Sequence, residues 1–499
     1  MRKKVAIIGS GFSSLSAASY LAKFGFSVSV YEKNNSLGGR ARVKQINGFT
    51  FDMGPSWYWM PDVFESYFRD FGKEVSDYYD LVRLSPSYRV FWKDSPDDIP
   101  SDMDQLKAYF EKYEKGSGAK LEQFMKEAQT KYEIGMGEFV TKPSLSIKEF
   151  MTLDIAKKGL SLDLFKPISK HIRSYFSHPK LIELLEFPVL FLGAKPQNTP
   201  SLYSLMNYAD MVLGTWYPMG GMGKIVDGMV SVAKELGVEF HTNSSVEKII
   251  VENKTTKGLK VNGELIEADI VVSGADYHHT EQNLLEDSER NYSKKYWDKR
   301  TMAPSSLLYY VGINKKIKGI KHHNLFFDES FDVHATEIYD THKWPKNPLF
   351  YICSPSKTDT SVSPEGKENM FFLVPVSTEL TDDSEEIRKR YFDLICDRLA
   401  KHLGEDIRPH IEVYESFAHS DFVEVYNSFK GNAYGLANTL KQTAFLKPKL
   451  KSKKVENLFF TGQLTSPGPG VPPSLISGKV VSELIQKMSV KTIFEKVVS

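Results

Sequence analysis

A carboxylate, an arginine and a set of glycines within the first 40 residues carry the clearest chemistry of this chain. Gly9-Ser10-Gly11-Phe12-Ser13-Ser14 forms a glycine turn, Glu32 and Lys33 close the apolar run that follows, and Leu37-Gly38-Gly39-Arg40 forms a second glycine turn. Free backbone N–H groups at a helix N-terminus attract phosphate. Gly9 permits the tight turn and Gly11 the close approach of a pyrophosphate. A carboxylate 21 residues beyond Gly11, at Glu32, accepts hydrogen bonds from a ribose diol. Arg40 adds a planar fork of donors that matches phosphate oxygens. These residues read as an adenine-dinucleotide pocket, and the arginine turn favours FAD over NAD. Ser14 stands where G-x-G-x-x-G has its third glycine, which predicts a slightly wider helix–strand contact.

The elements that must hold these residues are a strand over 4–8, a helix over 15–24 and a strand over 28–31. Further on, residues 49–52 alternate like a strand and end at Met53-Gly54-Pro55-Ser56. Residues 100–180 look helical. Pro218-Met219-Gly220-Gly221-Met222-Gly223 opens a helix over 225–236. Strands are predicted over 238–241, over 246–251 beginning at Val246, and over 269–273, the last with the unbroken apolar pattern of a buried parallel strand. Residues 305–312 and 370–376 read as strands and 384–403 as a helix. Near the end, a buried strand over 457–460 enters a turn running from Gly462 to Gly470 and Val471, followed by a helix over 475–488.

The fold class is α/β. Residues 1–70, 215–290 and 450–499 are expected to build a discontinuous Rossmann-like FAD-binding domain. Residues 71–125 and 291–449 would form an inserted mixed sheet-and-helix substrate domain, and 126–214 a helical part.

Composition excludes several classes. A length of 499 residues suits two or three domains, and 41% hydrophobic with 25% charged residues suits a globular protein. A net charge of +1 gives no field for nucleic acid. Two cysteines, Cys353 and Cys396, exclude a disulfide framework, point to a reducing compartment and lack the spacing or neighbours of a metal site. No stretch reaches the ~18 apolar residues of a membrane span; residues 181–194 are interrupted by Glu183, Glu186 and Pro188. The apolar run after Arg2-Lys3-Lys4 is too short for a signal peptide. The expected location is cytoplasmic.

Gly9-x-Gly11, Glu32, Gly38-Gly39-Arg40 and Phe51-Asp52-x-Gly54-Pro55-Ser56 resemble the FAD half of the flavin-dependent amine oxidase and phytoene desaturase superfamily. The 218–223 turn, Thr358-Asp359-x-Ser361-x-x-Pro364-x-Gly366 and Gly462 with Pro467-Gly468-x-Gly470-Val471 narrow the likeness to the bacterial and fungal phytoene desaturases (carotenoid desaturases), over essentially the whole chain. Gln463 and Leu464 depart from the small residues usual there, and Ser466 and Pro469 are further departures, so this turn puts the substrate's position in question.

The resemblance implies FAD-dependent oxidation of a C–C bond to C=C by hydride transfer to flavin, on phytoene, giving lycopene or a partly desaturated intermediate. It also implies that the helical part, 126–214, faces substrate and membrane. Oxygen or a quinone would take the electrons. A desaturase of a later carotenoid, a redox-neutral carotene cis–trans isomerase, an amine oxidase with a covalent flavin cysteine and a carotenoid carrier are the alternatives. No catalytic residue stands out. Glu149, Asp154, His171, Arg173 and His178 are the candidate proton acceptors, each expected on a solvated helix face. A long apolar substrate needs an apolar tunnel, for which Trp57, Tyr58, Trp59, Met60, Phe187, Phe191 and Trp216 are candidates, with Val189, Leu190, Leu202 and Leu205 near them. Such a substrate dissolves in the bilayer, so a peripheral membrane contact is expected at 181–192, at a basic amphipathic helix over 165–176, or at the lysine run 447–454, whose plainer reading is a solvated loop.

Overall fold

The computed structural model describes residues 2–146, 149, 166–439, 442–443 and 446–498, with backbone alone at 190–192 and 491–498. Its centre is a five-stranded, all-parallel sheet drawn from three distant stretches of chain. The spatial order is Leu458–Phe460, Ile270–Ser273, Lys4–Ile8, Ser27–Tyr31, Glu239–His241. Ile270–Ser273 is buried at every position, as expected for a strand covered on both faces. The helix Phe12–Lys23 packs against one face together with the C-terminal helix Val471–Val498. These helices touch closely: a Cβ on Gly478 would sit 2.3 Å from the Ser13 carbonyl oxygen. Ser16 and Ser482 donate across the seam to the Leu475 and Ala17 carbonyls.

The C-terminal helix starts at Val471, four residues before the predicted start. Pro472 and Pro473 read as breakers in sequence, yet they fall in the first turn, where a missing N–H removes no helical hydrogen bond. The strands Val246–Glu252, Thr255–Val261 and Glu264–Glu267 form a separate antiparallel meander.

A second large sheet has seven strands in the order Ile411–Phe417, Ser305–Ile313, Glu368–Val376, Phe350–Cys353, His323–Phe327, Tyr88–Trp92, Pro96–Ile99. Only the contact between His323–Phe327 and Tyr88–Trp92 is parallel. The helix Glu385–Leu403 covers one face through Tyr391, Phe392, Ile395, Cys396 and Leu399. The other face meets the helix Phe331–Tyr339 and the segment around Phe187.

Several surface expectations change. Leu181, Leu184, Leu185, Phe187 and Val189 are buried in the core, so these side chains offer no free apolar face. His171 lies on no solvated face: it is buried, with Lys131 Nζ 3.1 Å from its Nε2. Arg173 is exposed as expected and pairs with Glu186, and Glu149 accepts from the Leu145 and Ser146 amides at 2.9 Å. His178 heads the helix Pro179–Glu186 and stacks near Tyr113. Asp154 and Phe165 lie outside the described residues. Lys447 leaves the expected solvated loop: it is buried and donates to the Pro467 carbonyl at 2.8 Å. Among the described residues no helix is long and apolar enough to cross a membrane.

Candidate functional site

The carboxyl ends of the central strands carry the glycine turns. Gly9 has φ +82°, a conformation L side chains rarely adopt. Gly11 caps the helix Phe12–Lys23 with no side-chain hydrogen bond to its first amides, and a Cβ there would meet nothing within 4 Å. Uncapped amides facing open space are what a pyrophosphate requires. Ser14 costs little width, because Gly274 yields to it: a Cβ on Gly274 would lie 2.0 Å from Ser14 Oγ. The missing glycine on the helix is supplied from the neighbouring strand end.

Glu32 sits at the end of the second strand with both oxygens engaged. Ser10 N (3.0 Å) and Ser10 Oγ (2.7 Å) donate to one oxygen, Asn34 N (2.9 Å) and Asn34 Nδ2 (2.8 Å) to the other. The two side-chain donors hold the lone pairs a ribose diol would claim. The Glu32 carbonyl accepts from Ser244, which places the start of the Val246 strand beside the same corner. Lys33 is turned elsewhere, donating to Glu424 O (2.7 Å) and Asn427 Oδ1 (3.2 Å).

The second turn lies directly on the first. Gly39 has φ +58° and its Cβ would stand 3.0 Å from Gly11 Cα. Gly54 must also lack a side chain, since its Cβ would fall 2.5 Å from the Arg40 carbonyl oxygen. Asp52 accepts from Met222 N (2.8 Å) and Gly223 N (3.1 Å), which docks the 218–223 turn onto the strand Phe49–Asp52. Desolvation lifts the Asp52 carboxyl to about 6, opposed by those two amides.

Arg40 joins the two ends of the chain. Its Nη2 donates to Ser428 Oγ (2.9 Å) and the Asn432 carbonyl (3.1 Å). In the amide orientation that suits its neighbours, the Gln463 side-chain oxygen accepts from both Nη atoms at 2.8 and 3.0 Å. Gln463, the departure noted in the C-terminal turn, thus has a defined partner at the first turn. Arg40 Nε is enclosed with no partner. Burial pulls the guanidinium pKa down and Asp276 works against it. A partly buried guanidinium with an orphaned enclosed donor, next to uncapped amides, fits an anionic ligand. Gly462 (φ +102°) abuts Ser13, and Gly470 (φ +109°) leads into Val471 at the start of the last helix. Pro55 follows Gly54, and Ser56 Oγ accepts from the Tyr351 hydroxyl at 3.0 Å.

Tyr351 also lines an apolar cavity in the second sheet. Leu325, Phe327, Tyr351, Leu373 and Pro375 project from the sheet, and Phe331, His334, Ala335 and Ile338 face them from the helix Phe331–Tyr339. His334 is held neutral: it accepts from Leu349 N and donates to the Pro375 carbonyl, and burial lowers its pKa to about 4. Both its nitrogens are committed, so it offers no free base.

Of the tunnel candidates, Phe187 lines this cavity. Trp57 and Trp59 stand behind it, their rings 6.0 and 6.2 Å from Phe187, and Trp59 Nε1 donates to Thr215 Oγ1. Tyr58 packs instead in the core on Phe64, with its hydroxyl on Tyr79. Met60 is buried at the start of the helix Pro61–Asp70. Trp216 donates to Leu213 O under Arg83. The Phe191 side chain lies outside the described residues. Sequence reasoning missed the cavity walls at 325–375. Their signal was the alternation Leu325/Phe327 and Leu373/Pro375, which marks a face but not what it faces.

The cysteines also look different in three dimensions. Neither lies in the C-terminal turn where a covalent flavin bond was considered, but Cys353 does have neighbours of metal-binding type, His322 and His323. Spacing alone had suggested none.

A parallel sheet with an uncapped helix N-terminus at Gly11, a carboxylate at the end of the second strand and an adjoining apolar cavity is the layout of a dinucleotide-binding protein. The model of the flavin containing amine oxidoreductase family matches residues 12–486, and the chain belongs to that family. Within it the chain is a carotenoid desaturase homologue. It is 44% identical to a carotenoid 3,4-desaturase of Haloarcula japonica, over 96% of this chain and 97% of that one. It is 29% identical to a zeta-carotene-forming phytoene desaturase of Myxococcus xanthus, over 96% and 93%. An oxidoreductase from Methanosarcina mazei shares the fold with a TM-score of 0.63 at 16% identity, covering 96% of this chain and 100% of that one. The protein is a flavoprotein of carotenoid metabolism and its cofactor is FAD.

Proposed function

We propose that this protein desaturates an already conjugated carotenoid, as a carotenoid 3,4-desaturase does, rather than acting first on phytoene. The observation that carries this reading is the contact between the two halves of the site: Tyr351 lines the apolar cavity and donates to Ser56 beside Gly54 and Arg40. Gly9, Gly11, Phe12, Ser13, Ser14, Glu32, Gly39, Arg40, Gly54, Pro55, Ser56, Val246, Gly462, Gly470 and Val471 form the cofactor cradle, while Lys33 is held away from it by Glu424 and Asn427. Bound FAD supplies the hydride acceptor for conversion of a CH–CH bond to C=C. The protein positions the polyene against that cradle and keeps water out. His334, the histidine of the cavity wall, has both nitrogens engaged, so the proton leaves without a histidine base there. The preference for a later carotenoid is supported by the 44% identity to the 3,4-desaturase, against 29% to the phytoene desaturase.

Desaturation of phytoene to lycopene is the second reading, supported by the full-length likeness to the latter enzyme. In either case the substrate resides in a bilayer, so the protein works as a peripheral membrane enzyme and passes electrons to oxygen or a quinone. Expression in two hosts, one accumulating phytoene and one lycopene, tests the choice by chromatography and mass. Loss of two hydrogens per step from lycopene but not phytoene supports the proposal. Conversion of phytoene alone replaces it with the second reading. Isomer change without mass change, or no change with FAD bound, refutes both.

A further inference from the structure

His322, His323 and Cys353 converge in the second sheet, next to the Asp52–Ser56 segment that borders the cofactor turns. His323 and Cys353 are direct cross-strand partners in the antiparallel pair His323–Phe327 and Phe350–Cys353, so their side chains share a face. The His322 ring stands 4.5 Å from the His323 ring at 64°. One donor atom from each of the three lies within 4.8 Å of the others, and all three residues are buried.

Each imidazole holds an outer partner on its Nδ1. His322 Nδ1 pairs with Thr358 Oγ1 at 2.8 Å and His323 Nδ1 with the Tyr351 hydroxyl at 2.6 Å. Since Tyr351 donates onward to Ser56, its oxygen accepts the proton of His323 Nδ1. Trp57 stacks on the His323 ring at 4.1 Å and 9° and fixes its plane. Both Nε2 atoms are buried without a hydrogen-bond partner. An outer partner on one nitrogen and a bare second nitrogen is the arrangement that prepares a histidine for a metal. A buried polar atom left bare is otherwise costly. Cys353 also borders a small cavity lined by Asp52, Ser56 and Tyr217, the side from which a fourth ligand would approach.

We propose that His322, His323 and Cys353 bind a borderline-soft divalent cation of the zinc class, with the fourth position open toward the Asp52–Ser56 cavity. Two imidazoles and a thiolate suit zinc and disfavour magnesium or calcium, which prefer oxygen ligands. Zinc bonds of about 2.0–2.3 Å place tetrahedral ligand atoms roughly 3.5 Å apart, so small side-chain rotations close the cluster. As the Zn–S bond forms, the thiol proton passes to the buffer; no electron moves. The ion would pin the two strand ends beneath Trp57, beside the segment that carries Ser56.

The test uses the FAD-loaded protein, freed of metal by a chelator and titrated with Co²⁺ as a zinc surrogate. The expected result is one equivalent of tetrahedral cobalt, read from d–d bands to the red of oxidised flavin, with about one proton released per ion. Zn²⁺ should displace it and raise the thermal midpoint. Cys353→Ser should abolish the bands while keeping its flavin spectrum. Zn²⁺ should also protect Cys353 of the unaltered protein from alkylation, without protecting Cys396, a readout that needs no variant. Absence of the bands, bands that persist in Cys353→Ser, or Cys353 alkylation unaffected by saturating Zn²⁺ would each overturn the proposal.

Discussion

Replacing Arg40 by methionine separates cofactor binding from folding, because the two effects have different sizes. The guanidinium spans Ser428, Asn432 and Gln463, and its Nε has no protein partner. If that fork also grips a phosphate, its removal costs about 2–5 kcal/mol of binding, the usual loss for one member of a desolvated charge pair. At 1.4 kcal/mol per decade this is a ~30-fold to few-thousand-fold rise in the FAD dissociation constant. The cofactor-free protein should respond weakly. Methionine removes a charge whose desolvation already depresses its pKa, and the Asn432 carbonyl keeps Ser428 Oγ as its donor at 2.6 Å, so the loss is about that of one ordinary hydrogen bond, ~1 kcal/mol. The measurement is FAD titration of cofactor-stripped protein by flavin fluorescence, with thermal melts of the same samples. Arg40→Lys should fall between, since it keeps the charge and loses the fork. An FAD affinity within about threefold of the unaltered protein would refute the phosphate assignment. A collapse of the cofactor-free melt would instead make Arg40 a strut for the 428–463 turn.

Gly274→Ala alone should lower stability by about 1–3 kcal/mol through overpacking against Ser14, and Ser14→Gly in the same chain should restore most of it, as read from denaturant midpoints. Ala335→Trp, which fills the cavity from the helix Phe331–Tyr339, should leave FAD bound and abolish carotenoid turnover; unchanged turnover would show that the polyene lies elsewhere. Burial lowers the Lys447 ammonium to about 7. Between that pH and its ordinary value the unfolded chain binds a proton that the folded one does not, so stability rises with pH across this window, and the penalty is fully present below it. Lys447→Met should flatten that rise and gain stability at pH 6–7, by up to a few kcal/mol, in melts taken from pH 6 to 9.

Much of the scaffold around the proposed cofactor site could be read from local sequence. The strand Phe49–Asp52 matches its alternation residue for residue, and Ser305–Ile313 and Glu368–Val376 begin or end within two residues of expectation. The helix Phe12–Lys23 begins earlier than its apolar spacing suggested because Gly11 itself is the cap. The reading of Ser14 as a wider contact failed for a specific reason: its compensation lies at Gly274, on a strand 260 residues away. The lysine run misled in the same way, since nothing near Lys447 in sequence reveals that Pro467 covers it.

The sequence by itself determined the cofactor class, because turn geometry, helix start and strand-end carboxylate are set within a few residues of one another by φ limits and spacing. Only the tertiary structure decided where an apolar substrate can lie, which aromatic residues line that space and which merely fill the core. It alone brought Gln463 to Arg40, and His322 and His323 to Cys353. Alternation tells which side chains share a face of a strand; what packs against that face depends on segments hundreds of residues away, and sheet order alone supplies it.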